Sequence, residues 1–126
     1  MDYYSIFMLI ENKPFYLTYE TIPKPVVKVM ETPTPPKWEL VKLPTPTAYC
    51  LKDVNSMQFL NVATTGIVTC ESETSDSSNF TLPGGLKKSK ITNSTLQPNM
   101  TLYVDAGTHK VSGKYGADGQ EWTFQK

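Results

Sequence analysis

The sequence predicts an all-β chain built as three repeats of four short strands, and three observations predict it. Three segments end alike, PPKWELV, SSNFTLP and GQEWTFQ, and their aromatics Trp38, Phe80 and Trp122 stand 42 residues apart both times. Two residues after each aromatic comes an apolar partner (Leu40, Leu82 and Phe124), so each pair shares one face of a strand and points into one core. No stretch sustains a helical apolar period, and Pro, Gly, Asn and Ser punctuate the gaps between apolar runs as turns require.

Each unit can be read strand by strand. The first opens with YSIFMLI, continues with FYLTY and PVVKV, and closes on Trp38. The second runs AYCLKDV, FLNV and GIVTC before Phe80; the third runs KKSKITN (the least distinct opening strand), LYVD and HKVSG before Trp122. Inward residues follow from the alternation: Tyr4 with Ile6, Tyr49 with Leu51, Val27 with Val29, Val68 with Cys70, and Val111. Three four-stranded units of about forty residues are the signature of a β-trefoil. In that fold the first and fourth strands of each unit close a six-stranded barrel, and the middle pairs form hairpins that cap it. A β-sandwich also shows many short strands but does not require a fixed repeat. The predicted organisation is therefore one β-trefoil domain over residues 1–126, with units at about 1–43, 44–85 and 86–126.

Composition narrows the function. A chain of 126 residues fits a single core. Its 12 basic and 12 acidic residues cancel, which argues against nucleic acid, since phosphate binding needs surplus cations, and gives no reason to expect a membrane surface. The apolar N-terminal run carries Asp2 where a signal peptide carries basic residues, and no small-residue cleavage site follows, so a cytoplasmic location is expected. The register turns Cys50 outward and Cys70 inward, against a bridge and in keeping with a reducing compartment. The N-x-Ser/Thr triplets at Asn79, Asn93 and Asn99 are read as ordinary loop sequence.

A catalytic set is missing. The single histidine, His109, falls in a turn (AGTHKV) and is expected to be exposed, and neither cysteine has a nucleophile context. One His and two dispersed Cys cannot furnish a zinc site, GADG lacks the Lys of a phosphate cradle, and Glu71 and Glu73 lie in a Ser-rich stretch expected to be a solvated loop. The expectation is a non-enzymatic protein with neither cofactor nor metal, whose function sits in loops on a rigid barrel. Gln120-Glu121-Trp122 matches the Gln-x-Trp triplet of ricin-type sugar-binding repeats, and Asp105, Tyr115 and Gln120 could supply an acceptor, a stacking ring and an amide to a sugar. The triplet occurs once, however, and Trp122 fills the slot of Trp38 and Phe80, so core packing explains it.

The first two units resemble the opening of mushroom β-trefoil protease inhibitors, the group of the mycocypins, cospin and the cocaprins. The resemblance is carried by Tyr4-Ser5-Ile6, an aromatic-Leu strand, the Pro-Val-x-Val strand, a Pro-rich loop and Trp38-Glu39-Leu40. It implies an intracellular inhibitor that blocks a protease cleft with rigid loops, a cysteine or aspartic protease first. The loops it nominates are Asn12, Lys13 and Pro14 at the first hairpin tip, Thr34 and Pro35 in the ETPTPP loop, and Asn55, Ser56 and Met57 at the opening of unit two. The position of Asn55 resembles one used against asparaginyl endopeptidases. The segment Ile22-Pro23-Lys24-Pro25 resembles in position the serine-protease loop of cospin, although a proline after Lys24 makes a structural role the expected one. The expected partner is thus a protease, with a glycan as the alternative and a fascin-like binding role as a third reading, and the chain is expected to act as a monomer.

Overall fold

The computed structural model describes every residue except Met1, Pro46, Gln97, Pro98, Ala117 and Asp118. Unit one comprises β1 (Tyr3–Ile10), β2 (Lys13–Glu20), β3 (Val26–Met30) and β4 (Trp38–Lys42). Unit two comprises β5 (Ala48–Asp53), β6 (Phe59–Val62), β7 (Val68–Glu71) and β8 (Phe80–Thr81). Unit three comprises β9 (Lys88–Ser89), β10 (Thr92–Asn93), β11 (Met100–Val104), β12 (Val111–Tyr115) and β13 (Trp122–Gln125).

The antiparallel ladders close a ring. Strand β1 pairs with β4, β4 with β5, β5 with β8, β8 with β10, and β13 returns to β1 with β9 on its other side. The opening strand of unit three is split, and its two halves serve two neighbours. Between them the buried Ser89 hydroxyl accepts from Gly84 N–H and donates to Lys90 O, bonds that a continuous ladder would otherwise make. Closure leaves the ring without a free edge, which is how an all-β chain avoids pairing with others.

The inward positions are those the 42-residue repeat predicts. Trp38, Phe80 and Trp122 are fully buried, and Leu40, Leu82 and Phe124 beneath them are at most 9% exposed. The three aromatics are the largest fully buried side chains, so at about 25 cal/mol per Å² of apolar surface each gives one of the biggest single shares of the burial term. The equivalence is incomplete at the indoles. Trp38 Nε1 donates to Leu17 O at 3.0 Å, while Trp122 Nε1 is buried without a hydrogen-bond partner.

The three hairpins β2–β3, β6–β7 and β11–β12 meet at one end of the ring. Val29 N–H donates to His109 O at 2.9 Å, and Gly113 N–H donates to Gly66 O at 2.8 Å. Gly66 has φ +89°, and a Cβ there would lie 2.7 Å from Gly113 O, so both the turn and the approach require glycine. His109 is not the exposed turn residue expected. It is half-buried, and its ring packs against Phe15 at 4.9 Å between centroids, joining units three and one.

Three further expectations need correction. Cys50 points away from the main core cluster but is buried, because the segment at 75–79 folds over it; its Sγ lies 3.8 Å from Asn79 Oδ1. The acidic stretch is solvated at Glu71 and Glu73, as expected, but its end at 77–79 is not. Ser75 caps a 3-10 turn over Asp76–Ser78, and Ser78 is fully buried. Asn93 is also fully buried: its Oδ1 accepts from Thr95 and Leu96 N–H, and its Nδ2 donates to Asp76 O. The GADG turn falls partly on residues 117 and 118, outside the described residues.

Candidate functional site

Asn55 sits at the tip of a turn that the chain builds twice. In the β5–β6 connection Asp53 Oδ2 accepts from Ser56 N–H at 3.1 Å and from Ser56 Oγ at 2.7 Å. Met57 N–H donates to Asp53 O, Asp53 N–H donates to Gln58 O, both at 2.8 Å, and Gln58 N–H donates to Ser56 Oγ. The β11–β12 connection repeats this with Asp105, Thr108, His109 and Lys110. Met57 and His109 occupy the same left-handed position, φ 61° and 62°. The pattern Asp-x-x-Ser/Thr recurs in the sequence as Asp53-Val-Asn-Ser56 and Asp105-Ala-Gly-Thr108, a signal the strand repeat alone does not reveal. With its base buried (Asp53 is 2% exposed), the turn holds Asn55 and Met57 in solvent on a fixed backbone.

The β2–β3 connection, 21–25, runs beside this turn. It is exposed throughout, with Ile22 84% exposed ahead of a cis peptide to Pro23. Tyr19, Ile22, Asp53 and Asn55 share a depression of about 420 Å³. A second cleft of about 270 Å³ opens on the other side of Tyr19, floored by Val27, Val68 and Cys70 and rimmed by Gln58 and Glu71.

The remaining nominated residues form a separate group. Glu11 and Asn12 have φ 52° and 65° and close a two-residue hairpin turn on the Ile10–Lys13 pair. Pro14, Glu31, Thr32 and Pro33 border a depression of about 340 Å³, which joins the hairpin tip to the ETPTPP loop. Thr34 N–H donates to Thr32 Oγ1 at 3.1 Å; Thr34 is exposed and Pro35 half-buried.

Asp105, Tyr115 and Gln120 do not converge. Tyr115 pairs with Met100, whereas Asp105 follows Val104 at the other end of the ladder, five residues from Met100 or roughly 17 Å away. Both Gln120 polar atoms go to Val104, Oε1 accepting its N–H at 2.9 Å and Nε2 donating to its O at 3.2 Å. Asp105 Oδ1 accepts from Gly107 and Thr108 N–H, which holds its carboxyl below the usual range. Tyr115 reaches Thr64 O.

Cys50 and Cys70 are free thiols, and burial pushes both up, with Asp53 and Glu71 adding to the effect at Cys70. Among the described residues no three His, Cys, Asp or Glu side chains group as metal ligands, and no helix is long and apolar enough to cross a membrane.

No protein-family model and no curated protein matches the chain. Solved structures do. A designed 3-fold symmetric protein, ThreeFoil, superposes with a TM-score of 0.76 over 98% of both chains at 19% identity. The chain is a β-trefoil. The lectin of Polyporus squamosus, in complex with a human-type influenza-binding epitope, aligns at a TM-score of 0.79 and 18% identity, covering 98% of this trefoil and 48% of the lectin. A second trefoil, the BEL beta-trefoil, aligns at a TM-score of 0.71 and 16% identity over 98% of this trefoil and 91% of its own chain. The trefoil thus spans about half the lectin and nearly all of the other two. At these identities the likeness is one of fold.

Proposed function

We propose that this trefoil is a non-enzymatic inhibitor that blocks the active-site cleft of a cysteine or aspartic protease with rigid loops. The carrying observation is the 53–58 turn, which displays Asn55 and Met57 while a buried Asp53 locks the backbone. A loop already fixed in its bound shape loses little conformational entropy on binding, so more of its contact energy appears as affinity. Rigidity also keeps the peptide bonds of the loop from relaxing into the geometry that hydrolysis needs. The hairpin tip at 11–14 and its neighbour at 31–36 offer a second exposed edge of the same kind.

Inhibition assays against papain, an asparaginyl endopeptidase, trypsin and pepsin test this reading. Dose-dependent inhibition of at least one, with the trefoil intact after prolonged incubation, is expected. Inactivity against all four alongside a clear glycan-array signal would replace the reading with sugar binding.

A further inference from the structure

The cleft between the hairpins of units one and two is built differently from its two counterparts around the pseudo-threefold axis. Between units three and one the space is filled by the Phe15–His109 ring contact. Between units two and three Gly113 N–H on Gly66 O ties the hairpins together, and the depression of about 220 Å³ beside that bond is lined by Met100, Tyr115 and the cationic Lys114. Between units one and two a cleft of about 270 Å³ stays open over an apolar floor of Val27, Val68 and Cys70. Gln58 Oε1, which lies buried at its wall, has no hydrogen-bond partner. A buried amide oxygen left unpaired costs its full desolvation, so a turn of the Gln58 side chain that brings Oε1 to a donor in the cleft recovers that loss.

Charge points the same way. Among the described residues no Lys, Arg or His lines this cleft or the 420 Å³ depression across Tyr19, while Glu71 edges the first and Asp53 and Glu20 the second. Of these carboxylates, Glu20 is paired with Lys28 at 2.8 Å, Asp53 is held by Ser56, and Glu71 Oε2 accepts from Thr69 Oγ1, which leaves the other Glu71 oxygen to face a ligand. The Tyr19 hydroxyl is pushed up first by burial and then by Cys70, Glu71 and Asp53. An apolar floor, an unpaired acceptor and a carboxylate at the rim suit a long aliphatic stem that ends in a cationic donor.

We propose that this cleft seats a lysine or arginine side chain of a partner polypeptide, whose backbone then crosses the outer depression past Asn55. A peptide fits better than a free amine because the larger exposed depression adjoins the cleft across Tyr19, their shared wall, and gives a backbone room to lie. This rests on the reading that the Asn55 face takes a protein, but its test needs no protease.

Two-dimensional 15N NMR titration of the intact protein provides it, with n-butylguanidinium, n-butylammonium and butyrate as side-chain probes and the peptides acetyl-AAKAA-amide and acetyl-AAEAA-amide. The expected result is saturable shifts of the Tyr19, Gln58 and Val68–Glu71 amides with the two cations and with the Lys peptide, which also moves Ile22 and Asn55. Gln58→Met should weaken cation binding about tenfold; Glu71→Gln should weaken it about threefold at low salt, and the same spectra show whether either variant is folded. Equal shifts with butyrate, scattered shifts, or no loss in Gln58→Met would overturn the site. Binding of the cations without the Lys peptide would overturn the peptide assignment.

Discussion

Gln120 clasps Val104: its Oε1 takes the Val104 N–H at 2.9 Å and its Nε2 meets the Val104 carbonyl at 3.2 Å. The amide thereby acts as one extra rung beside β11, and the glutamine of the Gln-x-Trp triplet has no polar atom left over for a sugar. Gln120→Ala leaves two backbone groups of a buried residue unpaired. It is expected to lower the unfolding free energy by about 1–3 kcal/mol in urea denaturation, whereas Gln125→Ala, an exposed side chain at the end of the last strand, should change it by about 0.5 kcal/mol or less.

The two tryptophans should respond unequally to the same substitution. Replacing either with Phe removes similar packing volume, but Trp38→Phe also strips the donor from Leu17 O in the core. Trp122 has no such bond to lose. Trp38→Phe is expected to be the more destabilising by about 1–2 kcal/mol in parallel denaturation curves, and equal losses would remove the asymmetry.

Acid should probe the β11–β12 turn. Thr108 and Gly107 N–H hold the Asp105 carboxyl below its ordinary value of 3.8. As pH falls, the unfolded chain therefore takes up this proton first. The stabilising contribution is present above about pH 3.8 and is lost as pH falls through the lower folded value. Asp105→Asn keeps a turn acceptor without the charge, and thermal melts should show a shallower decline below pH 4 than in the unsubstituted protein.

Both thiols should be silent to Ellman's reagent at neutral pH in the folded protein and react together once it unfolds. Cys50 lies under the 3-10 turn and Cys70 in the core, and burial raises both above the ordinary 9.0. A raised thiol favours the folded state fully below that ordinary value, and the contribution falls as pH climbs beyond 9.0. Fast reaction of one thiol in native buffer would contradict its placement.

The barrel was legible in the sequence because its core repeats: Trp38, Phe80 and Trp122 recur at one spacing, and closure requires a large side chain at all three. The outer layer was less so. Burial of Cys50 depends on Ser75, whose side chain accepts from Ser77 N–H and whose own N–H goes to Ser78, a local capping geometry that alternation cannot encode. His109 looked like a free turn residue because its partner, Phe15, lies in another unit. The turn that presents Asn55 was readable in the Asp-x-x-Ser/Thr recurrence. The cleft beside it is a tertiary product of Tyr19, Gln58 and Cys70, which no local pattern joins.

The central claim is that a locked turn carrying Asn55 blocks a protease cleft, and comparison of inhibition constants for the unsubstituted protein and Asn55→Ala against an asparaginyl endopeptidase tests it most directly. The side chain of Asn55 is exposed and makes none of the bonds that close the turn, so the variant should keep its melting temperature. The account predicts inhibition by the unsubstituted protein and a loss of at least about tenfold in the variant, roughly 1.4 kcal/mol or more. No inhibition by either, or the same constant for both, would contradict it.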